Sequence, residues 1–235
     1  PAGDYQMMMS HLARAGQELD RLYWPARLAE AELLLERHNN QDAIAALHET
    51  LRFNPRCTQA FHDLGRIALS RFDFDSAGDA IDALRSLNEQ HPLADLLYAE
   101  SRLVQNDPEE ALYVLRRLID RVPRLRPAHA LAAAATALLY DAKATQAALD
   151  RCDDLSPGSA EAYCTAGRFL SMFRQYDQAA AMLGEAVRRQ PAWVCAADHG
   201  DPVRCALMIP FQVEIEPGRR PVEFPHPWRH AAVDH

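Results

Sequence analysis

Glycine is scarce in this sequence, with nine among 235 residues, and the shortage bears on catalysis. A loop that cradles phosphate needs several glycines close together, whereas these are scattered along the chain. The dinucleotide fingerprint, the G-x-S-x-G nucleophile turn and the H-E-x-x-H zinc helix are also missing. We therefore predict no catalytic residues, no enzymatic activity and no cofactor.

The sequence also has few basic residues, no long apolar run and no paired cysteine framework, and each of these absences excludes a class of protein. The 25 basic residues are outnumbered by 33 acidic ones, and the formal charge of −8 argues against nucleic-acid binding, which needs a basic face. The longest nearly uninterrupted apolar run, residues 128–140, is too short to span a bilayer. No signal peptide is visible, which favours a cytoplasmic location. The five cysteines are an odd number without framework spacing, so we expect reduced, mostly buried thiols.

What the sequence does contain is a repeat with a period of 34 residues. One column holds only small residues: Ala31, Gly65, Ala99, Ala133 and Gly167. A second column holds Ala43, Ala77, Ala111, Thr145 and Ala179, and a third holds Leu47, Ile81, Leu115, Leu149 and Leu183. A fourth holds Pro55, Glu89, Pro123, Pro157 and Pro191. Several columns in mutual register indicate a repeat architecture.

The spacing of the columns has a physical interpretation. Small residues let two helix backbones approach closely, and the aliphatic residue fills the seam four residues further along the second helix. Proline cannot continue a helix, so it ends each unit. Each unit is therefore a helix, a short polar turn and an antiparallel helix, and the units must stack to bury their apolar stripes. A leucine at Gly65 or Gly167 should overpack these contacts.

These columns resemble the pattern of the tetratricopeptide-repeat family. The resemblance covers residues 25–191 as five repeats and implies an all-α, right-handed superhelix, or solenoid. It is strongest in the second repeat, around Phe61 and Gly65, and in the fifth, around Tyr163 and Gly167. The aromatic residue of the first helix is replaced in the other repeats by Arg27, Asp95 and His129. Looser packing or a different bend is expected there.

Both ends of the chain depart from the period. Residues 1–24 are assigned to an N-terminal capping helix. Residues 192–235 carry six prolines and predict an irregular, poorly ordered tail. The tail contains a possible set of zinc ligands: Cys195, His199, Cys205, His226 and His230. The spacing lacks the short knuckle of zinc modules, so no metal site is predicted.

Two acidic stretches have ordinary structural explanations. Residues 72–75, FDFD, fall where a repeat turn belongs, and we expect Phe72 or Phe74 to point inward. Residues 106–111, NDPEEA, match a helix start with a cap, a first-turn proline and carboxylates near the dipole. Cys164 has no histidine at helical spacing and is interpreted as a packing residue.

In the family, first helices line a concave groove. Carried over position by position, the resemblance gives a set of candidate ligand-binding residues: Gln59, His62, Arg66, Leu96, Glu100, Leu103, Ala134, Glu161 and Arg168. We interpret this surface as an apolar middle with Arg66 and Arg168 near its ends. The lysine-containing clamp of chaperone-binding members is missing, because Lys143, the one lysine, lies outside these positions.

Two functions fit the sequence. The first is a non-catalytic scaffold that binds a peptide or a partner protein in the groove. The alternative is a regulatory or substrate-positioning repeat segment of a larger, truncated enzyme, since the period stops at Pro191 and the chain begins with Pro1. No membrane span is expected in either case.

Overall fold

The computed structural model describes residues 2–15, 23–37 and 39–190. Within these ranges the chain forms eleven α-helices and no strand. The helices are α1 (Ala2–Arg14), α2 (Trp24–Glu36), α3 (Asn40–Phe53), α4 (Thr58–Ser70), α5 (Phe74–Leu87), α6 (Pro92–Val104), α7 (Pro108–Arg121), α8 (Arg126–Leu138), α9 (Ala142–Leu155), α10 (Glu161–Met172) and α11 (Tyr176–Arg189).

From α2 onward the helices form five consecutive pairs, and each pair packs against the next one. We call the two members of a pair its first helix and its second helix. The prediction of an all-α array of helix–turn–helix repeats is confirmed. Helix α1 packs against α2, while the assignment of residues 1–24 as a cap stays a prediction. The predicted tail, residues 192–235, and its candidate zinc ligands lie outside the described residues.

Four of the five second helices begin at a recurring capping residue. The side chains of Asn39, Asp73, Asp107 and Asp141 each accept a hydrogen bond from the backbone N–H three residues later. Such a bond satisfies one of the free N–H groups at a helix start. The four caps are spaced 34 residues apart, so the repeat governs helix starts as well as packing. The helix start predicted for residues 106–111 is confirmed.

In repeats 2 to 5, the second residue before the second helix lies in the left-handed region of backbone conformation. Phe72, Asn106, Tyr140 and Arg174 have φ values of 58°, 60°, 58° and 62°. The inward placement expected for Phe72 or Phe74 is wrong, because Phe72 is 59% exposed and Phe74 is 38% exposed. The tight turn directs both side chains away from the repeat core.

The three apolar columns form the core of the array. Every member of the small, alanine and aliphatic columns is buried. Thr145 fits among the alanines because its hydroxyl donates to the Asp141 carbonyl at 2.8 Å and lies 3.1 Å from the Thr136 hydroxyl. A buried polar group that is hydrogen-bonded in this way costs little. Helix α8 is buried on all sides from Ala128 to Leu138, since its alanines admit close neighbours.

The polar side chains that stand at the aromatic position of the first helix form ion pairs or hydrogen bonds with adjacent elements. Arg27 pairs with Glu49 at 3.0 Å, and Asp95 pairs with Arg121. The Nε2 atom of His129 lies 2.9 Å from the Pro123 carbonyl oxygen. At these three positions, polar contacts between neighbouring elements take the place of an aromatic contact.

Candidate functional site

One column of the repeat runs along the first helices of all five repeats: Glu32, Arg66, Glu100, Ala134 and Arg168. We call it the central column. Its members lie one residue after the small-residue column, so each follows a close helix contact. Four of the five positions are charged, whereas the two neighbouring columns are apolar or small except for Ser101. The central column is therefore the candidate site.

The centre of this column is a carboxylate held by two arginines. Arg168 Nη2 donates to Glu100 Oε1 at 2.7 Å, and Arg66 Nε lies 3.5 Å from Glu100 Oε2. Glu100 is 8% exposed, whereas the arginine side chains are 52% (Arg66) and 47% (Arg168) exposed. The expected separation of the two arginines at opposite ends of an apolar strip is wrong, because both reach the same carboxylate.

The small side chain of Ala134, the central-column residue of repeat 4, leaves room for Arg168 to reach Glu100. Arg168 lies two repeats, or 68 residues, from Glu100, and Ala134 occupies the column position between them. Ala134 is fully buried, so no long side chain stands between the guanidinium and the carboxylate. Three repeats are thereby joined through one buried anion.

The electrostatics favour an ionised Glu100. Burial opposes its charge, but the charges of Arg168 and Arg66 and the hydrogen bond from Arg168 outweigh burial and lower the pKa of Glu100. Two guanidinium groups around one carboxylate leave one uncompensated positive charge. Because the guanidinium groups are about half exposed, that surplus charge faces solvent and can attract an anionic group.

A second polar cluster adjoins the first in repeat 2. Gln59 donates to Asp63 Oδ1 at 2.9 Å, and His62 Nδ1 lies 3.4 Å from the same oxygen. Burial, followed by the proximity of His62, lowers the pKa of His91. Gln59 and His62 therefore both reach Asp63, and they lie on the same helix, α4, as Arg66.

Sequence reasoning missed Asp63. It is 5% exposed, and its Oδ2 atom has no hydrogen-bond partner among the described residues. The period offered a signal, because the equivalent positions one and two repeats later are Leu97 and Leu131. A carboxylate at a position that holds leucine in the next two repeats indicates that a charged residue stands where a core residue would fit.

Other candidate residues lie elsewhere. Leu96, Leu103 and Ala134 are 3%, 0% and 0% exposed and belong to the hydrophobic core, so they offer no surface to a ligand. These side chains belong to the same core cluster as the alanines of α8. The small alanine side chains let the neighbouring helices pack closely there. Glu161 pairs with Arg126 at 3.5 Å, at the start of α10 and away from the central column. Among the candidates, those that cluster are Gln59, His62, Arg66, Glu100 and Arg168.

The acidic end of the column borders a separate groove. Glu32 lines a groove of about 400 Å³ between α1 and α2, together with Met8, Leu12, Leu33 and Glu36. Partial burial, followed by the charges of Asp63 and Glu36, raises the pKa of Glu32. The column thus changes from acidic in repeat 1 to net positive in repeats 2 to 5.

The three cysteines among the described residues give no sign of reactive chemistry. Burial, reinforced by the nearby charges of Glu161 and Asp153, raises the pKa of Cys152 to about 12, so its thiol stays protonated at neutral pH. Cys57 is buried as well, and Cys164 is partly buried. In the part of the chain that the structure describes, no cluster of three or more His, Cys, Asp or Glu side chains could hold a metal ion.

Comparisons with known proteins agree with this architecture. The sequence matches the tetratricopeptide-repeat model over residues 28–92 and 62–125. A tetratricopeptide-repeat protein from Parabacteroides merdae superposes with a TM-score of 0.62 at 17% identity, covering 83% of this chain and 78% of its own. Over residues 28–125 the chain belongs to the tetratricopeptide-repeat family.

Two further structures share the fold of this tetratricopeptide-repeat chain. TTC0263, a TPR protein from Thermus thermophilus, superposes with a TM-score of 0.59 at 19% identity, covering 80% of this chain and all of its own. A chain of the APC/C hetero-tetramer Cut9–Hcn1 superposes with a TM-score of 0.63 at 16% identity, covering 85% of this chain and 39% of its own. At such identities the similarity shows the fold alone. No curated protein matches the sequence.

The arrangement in helix pairs extends beyond the matched sequence. The match ends at residue 125, whereas the helix pairing continues through α8–α9 and α10–α11. Tetratricopeptide repeats generally serve as interaction surfaces without catalysis, and no catalytic family is identified for this chain. None of the described helices is both long and apolar enough to cross a membrane.

Proposed function

We propose that this protein is a non-catalytic interaction scaffold that binds an extended segment of a partner protein along the central column. The observation that carries the proposal is the cluster of Arg66, Glu100 and Arg168, in which two half-exposed guanidinium groups surround one buried carboxylate. A purely structural ion pair would need one arginine. The second leaves a positive charge on the surface.

The cluster suits a partner that carries an acidic group. Arg66 approaches Glu100 at 3.5 Å, which is longer than a good hydrogen bond, so a carboxylate of the partner can compete for this guanidinium at little cost. Gln59 and His62 lie within the same cluster and can contact a polar backbone. We also propose that Glu161 contacts the partner, although it pairs with Arg126 and lies outside this cluster.

The proposal differs from the apolar groove expected from sequence. Because Leu96, Leu103 and Ala134 are in the core, affinity has to come mainly from polar contacts along the column. Charged and polar contacts of this kind set specificity and association rate more than total affinity. We therefore expect the partner to bind reversibly and its affinity to fall as salt rises.

The test is charge reversal on the column with a matched control. The Arg66→Glu/Arg168→Glu variant should recover less partner than wild type in a quantitative pull-down from the source cell. The control, Arg151→Glu/Arg188→Glu, makes the same change in net charge at exposed arginines that only pair within their own helices. It should recover partners as wild type does.

Loss of fold has to be separated from loss of binding. Arg66→Gln/Arg168→Gln avoids placing new carboxylates beside Glu100, and its circular dichroism and thermal unfolding establish whether the array is intact. Equal partner recovery by wild type and by both folded column variants would overturn the proposal.

A further inference from the structure

A basic surface interrupts the otherwise acidic chain. The formal charge of the whole protein is −8, yet residues 113–126 contain five arginines and a single acidic residue, Asp120. The arginines are Arg116, Arg117, Arg121, Arg124 and Arg126. The fold gathers them at the last turns of α7, in the following loop and at the first residue of α8.

Two of these arginines form ion pairs and hydrogen bonds that stabilise the fold. Arg121 pairs with Asp95 and also donates to the Gln90 carbonyl at 3.2 Å. Arg126 pairs with Glu161 at 3.5 Å and donates to the Ser156 hydroxyl at 3.1 Å. Arg121 joins α7 to α6 and to the loop before α6, and Arg126 joins repeat 4 to repeat 5, which accounts for their presence.

The other three have no such structural role. Arg116, Arg117 and Arg124 are exposed, and within the described part of the chain none of them forms an ion pair. Arg117 lies over the ring of Tyr113, 5.7 Å from its centroid. Tyr113 itself is 56% exposed. An exposed aromatic ring beside unpaired guanidinium groups is the composition that protein interfaces favour.

We infer that Tyr113, Arg116, Arg117 and Arg124, together the arginine patch, form a second docking surface, which binds an acidic segment of a partner protein. Guanidinium groups bind carboxylates through two parallel hydrogen bonds, and the tyrosine adds an apolar face to the contact. The patch lies on a second helix and the loop after it, whereas the central column lies on first helices. It is therefore a separate site that goes beyond the proposed function.

The neighbouring charges favour an acidic protein segment over a nucleic acid. The second helix of the preceding repeat exposes Asp75, Asp79 and Asp82, and that of the following repeat exposes Asp150 and Asp154. A nucleic acid that extended along the array would meet these carboxylates on both sides of the patch. A short acidic peptide needs only the area of the patch itself.

Binding is measured with a defined probe. The probe is a fluorescein-labelled peptide, Glu-Glu-Asp-Leu-Glu-Glu-Asp-Leu with a C-terminal amide, titrated with the full chain and followed by fluorescence anisotropy. The isosteric amide peptide, Gln-Gln-Asn-Leu-Gln-Gln-Asn-Leu, should not bind. Raising NaCl from about 50 to about 200 mM should weaken binding of the acidic peptide, since the contacts are exposed ion pairs.

The variant Arg116→Glu/Arg117→Glu/Arg124→Glu should weaken peptide binding about tenfold or more. A matched control, Arg52→Glu/Arg56→Glu/Arg71→Glu, changes net charge equally at exposed arginines in other repeats and should bind within about twofold of wild type. In the Arg66→Glu/Arg168→Glu background, the three patch substitutions should still weaken peptide binding by a similar factor, so the contribution of the patch is measured separately from that of the central column. Circular dichroism confirms folding of each variant.

Three results would overturn the inference. The first is no binding of the acidic peptide by wild type at low salt. The second is an equal loss of binding in the patch variant and in its matched control, which would indicate a nonspecific charge effect. The third is tighter binding of a single-stranded oligonucleotide of the same charge than of the acidic peptide, which would assign the patch to nucleic acid.

Discussion

At the scale of single residues, the close contacts of the array depend on glycines that leave room for a neighbouring leucine. A Cβ atom at Gly65 would lie 2.2 Å from Leu97 Cδ2, and one at Gly167 would lie 2.6 Å from Leu183 Cγ. Contacts below 3.0 Å require something to move, and both leucines are buried. Two other helical glycines, Gly78 and Gly184, have nothing within 4 Å of that point.

We predict opposite effects of the same substitution at these two kinds of glycine. Gly65→Ala and Gly167→Ala should lower the free energy of unfolding by about 1 to 3 kcal/mol through overpacking. Gly78→Ala and Gly184→Ala should raise it by about 1 kcal/mol, because alanine favours the helix more than glycine does. Urea denaturation of the four variants measures the difference. Stabilisation by all four would mean that the seam is not tightly packed.

Single residues also show how far the sequence could be interpreted. The small column was predictable because its size requirement recurs in every repeat. The partners of Glu100 were not predictable, because they depend on how far Arg168 can reach over Ala134, which is a property of the folded array. The burial of Leu96 and Leu103 was missed for a related reason. It depends on how closely the helices around the alanine-rich α8 pack in the folded array.

At the scale of one helix–turn–helix element, the turn carries backbone strain. Tyr140 has a φ of 58° and is 70% exposed. A bulky residue costs roughly 1–2 kcal/mol in this left-handed region, whereas glycine adopts it freely and asparagine adopts it more readily than most residues. Asn106 at the equivalent position of repeat 3 suits the turn, but Phe72, Tyr140 and Arg174 do not.

Replacing a strained turn residue should therefore stabilise the protein. We predict that Tyr140→Gly raises the free energy of unfolding by about 0.5 to 1 kcal/mol, the relief of strain exceeding glycine's entropic cost. Little burial is lost, because the tyrosine ring is mostly exposed. Thermal and urea unfolding provide the measurement, with Asn106→Gly as the comparison that should gain less. A Tyr140→Gly variant less stable than wild type would mean that the exposed ring contributes more than the strain costs.

At the scale of the whole molecule, Glu100 couples repeats that are not neighbours in sequence. It contacts Arg66 in repeat 2 and Arg168 in repeat 5. Repeat arrays mostly contain contacts between adjacent units, and their stability behaves as a sum of neighbouring terms. A contact across two repeats adds cooperativity to the described part of the array, and removing it should make unfolding of repeats 2 and 5 less concerted.

The Glu100 contact should also make stability depend on pH. Its pKa is lowered in the folded state, so its contribution is fully present above the ordinary glutamate pKa of about 4.3 and is lost as pH falls through the folded value. Glu100→Gln should cost about 1 to 2 kcal/mol at pH near 7, a figure kept modest because both arginines are half exposed. Urea denaturation of wild type and variant between pH of about 7 and 3 should show the two stabilities converging below about pH 4.

Glu32→Gln provides a control of opposite sign. The pKa of Glu32 is raised in the folded state, so its ionised form is less favourable in the folded protein than in the unfolded chain at neutral pH. The variant should therefore be slightly more stable than wild type near pH 7, and this difference should disappear as Glu32 becomes protonated in both states at low pH. A stability difference between wild type and Glu100→Gln that stayed constant down to pH of about 3 would show that the carboxylate charge is not what joins the three repeats.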